Sequence, residues 1–317
     1  VCRTRTDPWG LRVSPRNFAE QMLVLREAAN AVSLERLHTM LDAEAVPPRT
    51  VVVTFDDGYV DNLIHARPAL ERSGVPATVF VATGRIGSSD EFWWDELDRL
   101  LLQPGRLPAQ LSMHLNGSRH VWQLDQFSRL DYFTAHRTRN WRGWHEPPPT
   151  TRHAAFRALW QLLHDGTVEQ CAEAIENLRR WAGAPRRGRE THRCVTLDEL
   201  RELGRSDLIE IGGHTVSHPS LASIDVTSQQ REIDSCRDTL EAALQKPITS
   251  FSYPFGTQRD YTQQTIDLLK QSGFARACSN FPGPISAATD RFQLPRRVVM
   301  DWDGREFADR LGRWLST

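Results

Sequence analysis

The 317 residues predict an α/β fold of repeated parallel β/α units, broken once by a tryptophan-rich insertion. Three observations predict it. The short apolar runs Val51-Val52-Val53 and Ala77-Thr78-Val79-Phe80-Val81-Ala82 read as buried strands. Between them, Asn62 to Ser73 reads as a helix stopped by Gly74, and strand, helix, strand in such short order means parallel units. The same rhythm returns from Thr196 onward, which suggests a barrel or a doubly wound sheet.

Taken in order, Ser14 caps a first helix with Pro15 at its opening position and Phe18, Met22, Leu25 and Ala29 along one face. Ser33 caps a second from Leu34 to Leu41, which Pro47-Pro48 separates from the first strand. Residues 84–193 interrupt the pattern. This stretch holds Trp93, Trp94, Trp122, Trp141, Trp144, Trp160 and Trp181, a hairpin signal at Asn116-Gly117, and helical patterns at 154–163 and 168–181. It reads as an inserted lid or subdomain between the β/α parts 1–83 and 194–317. Its tryptophans suit either the core of a small layer or, with Trp93 and Trp94 foremost, the wall of a sugar cleft. Thr196 and Glu199 then form a capping-box pattern, the strand Leu208–Ile211 runs into Gly212-Gly213-His214, and a helix follows over 229–244. Strands near 248–253, 275–279 and 294–299, a helix over 262–271 and a last helix with Phe307, Leu311 and Trp314 on one face complete the pattern.

Composition narrows the function classes. A formal net charge of −1 with 25% charged and 39% hydrophobic residues fits a soluble globular chain and gives no global reason to expect nucleic acid or an anionic membrane as partner. No run approaches the roughly 20 apolar residues of a membrane span. Lys246 and Lys270 are the only lysines, so the arginine excess reads as genomic bias rather than a binding patch. Cys2, Cys171, Cys194, Cys236 and Cys278 are odd in number and unclustered, which argues against a disulfide framework or a cysteine zinc site and tilts towards a reducing, cytoplasmic compartment. The opening Val1-Cys2-Arg3 has neither an initiator Met nor a signal-peptide pattern, so the natural N-terminus is expected upstream.

Chemistry concentrates at three strand ends. Asp56 and Asp57 follow the first buried strand, where α/β folds place reactive groups. Two consecutive carboxylates on a turn point apart, so one can hold a metal while the other works as a base; the alternative is two acids capping the next helix. His214 and His218 stand at i and i+4, a spacing that on a helical turn lets both imidazoles converge on one ion. With one carboxylate they make a two-nitrogen, one-oxygen set with positions open for water and substrate. Zinc is the default single divalent ion for that set, and nickel, cobalt or iron fit the same donors. The loop Phe251-Ser252-Tyr253-Pro254-Phe255-Gly256 offers aromatic walls for a substrate groove, Tyr253 and Phe255, and a backbone N–H for an oxyanion.

In order, TFDDGY at 54–59, HTVSH at 214–218 and SYPFG at 252–256 resemble the polysaccharide deacetylase family, carbohydrate esterase family 4. The resemblance covers about 50–83 and 195–300. It implies a distorted, incomplete (β/α) barrel of about seven strands and metal-dependent removal of an N-acyl group, foremost acetyl, from an amino sugar of a glycan or glycan precursor. It would make Asp56 the general base, Asp57, His214 and His218 the metal ligands, and Phe255 the residue whose N–H meets the oxyanion. DPWGL at 7–11 is similar to members that work among glycan-assembly enzymes.

Two departures stand out. Ser252 occupies the position where the family's third motif starts with an Arg that holds the catalytic Asp, and Arg296 or Arg297 is the replacement the sequence offers, unless both are surface arginines. No histidine follows His218, so the late histidine that serves the family as general acid is missing. A donor upstream of Val1 is expected, in preference to His65, His114, His120, His136, His145, His153 or His164. Two rival functions stand beside deacetylation: N-deformylation of a nucleotide- or lipid-linked amino sugar, and glycan binding over a vestigial metal site.

Overall fold

Among the described residues, five parallel strands carry the fold: β1 (Val53–Phe55), β2 (Ala77–Val81), β3 (Ile209–Gly213), β4 (Ser250–Ser252) and β5 (Arg276–Cys278). The computed structural model describes Val1 and residues 6–316. Cys2 lies outside the described residues; Cys171, Cys236 and Cys278 are buried free thiols. Strand order in space equals order in the chain, with Val53 opposite Ala77, Val79 opposite Ile211, Gly213 opposite Phe251 and Ser252 opposite Cys278. A doubly wound sheet reverses that order once. This one does not, so successive right-handed crossovers bring each helix back to the same face and the sheet curls into an open half-barrel. Asn30–Ala31 runs parallel to Thr50–Val51 ahead of β1, and Leu294 makes one parallel bridge to Cys278 beyond β5. The first of these pairs is a two-stranded sheet of its own, apart from the five-stranded one, and the Leu294 contact is a single isolated bridge.

Alternation along the strands separates two environments. Ala77, Val79, Val81, Ile209, Ile211, Phe251 and Ala277 pack outward against Leu70, Leu200, Leu203, Ile233, Leu240, Ile266 and Leu269 of the surrounding helices. On the inner face, Phe80 and Cys278 meet Leu34, Leu37 and Leu41 of the helix Leu34–Asp42. Gly212 is required there, because a Cβ would stand 2.5 Å from Phe80 Cδ1. Below that layer, Arg276, 3% exposed, donates to Ser250 Oγ at 2.8 Å and pairs with Glu210 at 3.5 Å.

Helix starts follow their capping residues. Ser14 caps Pro15–Ala28, Ser33 caps Leu34–Asp42, and Thr196 with Glu199 forms the capping box of Leu197–Leu203. Asp225 caps Val226–Leu244, so that helix opens three residues before the sequence-expected start. The expected helix at Asn62–Ser73 divides into a wide turn, Asn62–Ala66, and the helix Arg67–Ser73 with Gly74 left-handed at its end. The expected strand 294–299 shrinks to the Leu294 bridge. Pro295 has no N–H to give a ladder, and Arg296 N donates to Phe281 O at 3.0 Å instead.

The chain divides into two compact units. One takes residues 12–88 and 194–316 with Val1 and contains the half-barrel; the other takes 6–11 and 89–193. Residues 84–88 stay with the first, since Gly84 N donates to Val216 O at 2.8 Å and Gly87 N to Val195 O at 2.9 Å. The second unit has its own apolar centre, where Leu97, Leu101, Leu111, Phe156, Leu159 and Leu178 meet. Its hairpin, Gln110–Leu115 and Ser118–Gln123, turns on Asn116 (φ 51°) and Gly117 (φ 74°), the geometry an Asn-Gly turn favours. Trp9 of the DPWGL stretch packs here against Trp144, Trp160 and Phe156, at centroid distances of 4.3, 4.9 and 5.4 Å.

Candidate active site

The C-terminal ends of β1, β3 and β4 bring the chemistry together. Past β1 the backbone turns left-handed at Asp57 (φ 74°) and Gly58 (φ 75°). That reversal sends the two carboxylates apart: Asp56 faces Arg296 and Asp57 faces the histidines. A Cβ on Gly58 would stand 3.0 Å from Val81 Cγ1.

His214 and His218 converge without a helix. Residues 214–218 form an irregular loop in which Thr215 (φ 63°) and His218 (φ 62°) are both left-handed, a conformation costing an L-residue about 1–2 kcal/mol. The helical-turn reading of the i, i+4 spacing is therefore corrected: two left-handed residues fold the loop back on itself. Thr215 is fully buried, and its Oγ1 accepts from His218 N at 3.0 Å while donating to His214 O. His214 Nδ1 lies 2.7 Å from Ser252 O, a carbonyl that accepts only, so Nδ1 carries the proton and Nε2 is free to ligate.

Asp57 Oδ1 is 3.4 Å from His214 Nε2 and 3.3 Å from His218 Nε2. One ligand atom from each of the three residues falls within 4.8 Å of the others. Asp57 Oδ1 and His214 Nε2 are buried and neither has a hydrogen-bond partner among the described residues. Two orphaned buried atoms in a two-nitrogen, one-oxygen set fit a divalent cation. Burial pushes Asp57 up, and its two imidazole neighbours outweigh that and hold the carboxyl well below its usual range. His218 is pushed down, mainly by burial, which favours the neutral imidazole that a ligand needs.

Asp56 sits beside this cluster with its side chain 32% exposed. Arg296 grips it with two parallel bonds, Nη1 to Oδ1 and Nη2 to Oδ2, each 2.8 Å. The guanidinium is itself anchored to Thr54 Oγ1 at 3.2 Å, Ser252 Oγ at 2.9 Å and, through Nε, Ser279 O at 2.7 Å. Burial raises the Asp56 pKa, and the Arg296 charge, the nearby His214 and the Arg296 hydrogen bonds together outweigh it, leaving the carboxyl below its ordinary value. A Ser at 252 leaves room for an arginine that arrives from the far end of the sheet. Arg297 does not share this position: it is exposed and lies over the Trp314 ring at 5.5 Å, because consecutive side chains diverge along an extended segment.

The remaining sequence-predicted residues differ in their surroundings. Tyr253 is not a groove wall. It is fully buried, stacked on Tyr261 at 3.9 Å, with its hydroxyl donating to Phe292 O at 2.9 Å. Phe255 is left-handed (φ 59°), half-buried, and edge-on to the His218 ring at 4.8 Å. Trp93 and Trp94 belong to the second unit, Trp93 against Trp160 at 5.9 Å and Trp94 stacked on Phe92 at 4.5 Å. His153, weighed as a proton donor, is 2% exposed and pairs with Thr150 at 2.7 Å. Asp260 was not singled out from sequence. It is 1% exposed and ties two site loops together, accepting from Ser220 Oγ at 3.1 Å and Thr257 N at 2.9 Å.

The polysaccharide deacetylase family model matches residues 43–106 and 170–277, more than half of the chain, and both matched parts reach the strand ends just described. The chain belongs to the polysaccharide deacetylase family. A curated relative, the putative polysaccharide deacetylase YxkH of Bacillus subtilis (strain 168), is 34% identical over 79 residues, 24% of this chain and 28% of the relative's length. Among solved structures, the Streptococcus pyogenes deacetylase PplD in complex with acetate aligns with a TM-score of 0.56 at 16% identity, covering 95% of this chain and 88% of that one. IcaB from Ammonifex degensii aligns at 0.54 and 16% identity, over 96% and 90%. These likenesses place the half-barrel among known deacetylase folds.

Proposed function

We propose that the chain removes N-acetyl groups from amino sugars of a polysaccharide by hydrolysis, with Asp57, His214 and His218 holding one divalent cation, zinc by preference. The observation that carries the reading is the pairing of that ligand cluster with a separate carboxylate, held by Arg296 and partly open to solvent. When bound, the cation supplies Lewis acidity to the amide carbonyl and lowers the pKa of a reacting water. Asp56, kept ionised by Arg296, takes the proton from that water. The backbone N–H of Phe255, on a loop packed edge-on to His218, serves the developing oxyanion.

The test is amine release from N-acetyl- and N-formyl-hexosamine oligomers by protein stripped with a chelator, before and after Zn2+ is restored. Release from the acetyl substrates only after Zn2+ is the expected result. Preference for the formyl series would make the protein a deformylase. Undiminished release by stripped protein, or by His214→Ala, would overturn the metal assignment.

A further inference from the structure

The loop that joins the two histidine ligands is held from both sides by groups outside the ligand set. On one side, Thr83 N donates to Thr215 O at 3.1 Å and Gly84 N donates to Val216 O at 2.8 Å. On the other side stands Glu232, on the second turn of the helix Val226–Leu244. Its Oε2 accepts from Val216 N at 2.8 Å and Ser217 N at 2.9 Å, and its Oε1 accepts from Ser217 Oγ. All three donors lie between His214 and His218. No residue of the histidine motif reaches back to Glu232 through local sequence; the contact exists only because the helix returns beneath the loop.

The loop needs such a hold. It contains two left-handed non-glycine residues, Thr215 and His218, and neither conformation is one that the chain keeps without outside support. Backbone N–H groups aimed at an ionised carboxylate make charge-assisted bonds, about twice as strong as neutral ones. Gly84 completes the arrangement, since a Cβ there would stand 2.7 Å from Val216 O.

We infer that Glu232 is a positioning residue: with Gly84 it clamps the Val216 peptide and so sets the spacing between His214 and His218 that a divalent cation requires. The inference rests on the ligand assignment proposed above. Outer partners that orient ligands typically contribute 10–100-fold to metal affinity.

The experiment measures Zn2+ affinity of the stripped full chain by competition with a chromophoric chelator, and the visible absorption of the Co2+-loaded protein as a report on ligand geometry. Metal-free unfolding midpoints are recorded alongside. Glu232→Ala is expected to weaken Zn2+ binding 10–100-fold and alter the Co2+ spectrum. Glu232→Gln, whose carbonyl oxygen still accepts from both N–H groups, is expected to recover most of the affinity. Gly84→Ala, which displaces the same peptide with Glu232 intact, is expected to weaken binding likewise and decides the matter if Glu232→Ala does not fold. Wild-type affinity and spectrum in folded Glu232→Ala or in Gly84→Ala would overturn the clamp while leaving the ligand assignment standing. Absence of Zn2+ binding by the wild-type chain would overturn both.

Discussion

Asp56→Asn leaves a side chain that Arg296 still holds but that cannot take a proton, so the expected variant keeps its metal and loses about 10²–10⁴-fold in turnover. Asp57→Asn removes a ligand and is expected to lose both; metal content and amine release on the two proteins check the division of labour. Arg296→Gln tests the hold on the base. Removing the guanidinium leaves burial as the dominant influence on Asp56, so its pKa rises and the acidic limb of kcat/KM moves to higher pH. A limb that stays in place would show that Arg296 does not set the ionisation of Asp56. The pairs Asp56-Asp57 and His214/His218 were legible in sequence because short contiguous motifs carry them. Choosing between Arg296 and Arg297 was not, since neighbours one residue apart differ only in which way the backbone points them. Tyr253 misled for a related reason: aromatic content marks a loop as a wall, and only packing shows that this ring faces Tyr261.

Among the elements, β/α alternation and the capping residues Ser14, Ser33 and Thr196 were readable because their physics is local. Strand 294–299 was over-read, since apolar content there does not supply the N–H that Pro295 lacks. The inner face of β3 makes a sharp prediction. Gly212→Ala places a methyl group against Phe80 and is expected to destabilise the protein by about 1–3 kcal/mol, the usual cost of overpacking, measured as a lower denaturation midpoint at unchanged m-value. In the second unit, burial lowers the His153 pKa from 6.5 to about 4. The unfolded chain therefore takes up a proton between about pH 6.5 and 4 that the folded chain refuses. Stability is full above pH 6.5 and falls as pH drops through that window. His153→Gln is expected to flatten the part of the pH dependence due to this group; an unchanged slope in urea titrations from pH 7 to 5 would count against it.

For the whole molecule, a cation that binds the folded site and not the unfolded chain adds stability by mass action, about 2.7 kcal/mol at a hundred times its Kd. Zn2+ is therefore expected to raise the unfolding temperature of the stripped protein, and His214→Ala to abolish the rise. The β/α repeats alone do not separate a barrel from a doubly wound sheet, because the difference lies in spatial strand order; the three motifs, through their family resemblance, pointed to the incomplete barrel. That order, set beside the position of residues 89–193 in the chain, has a consequence for synthesis. When β2 leaves the ribosome its partner β3 lies roughly 130 residues away, and at about 5–20 residues per second that is on the order of ten seconds of translation. Throughout, Ala77–Val81, every residue of which is buried in the finished protein, presents an unpaired apolar edge. Nascent chains arrested near residue 200 are thus expected to engage chaperones or aggregate, and chains released at full length, with all five strands emerged, to become protease-resistant.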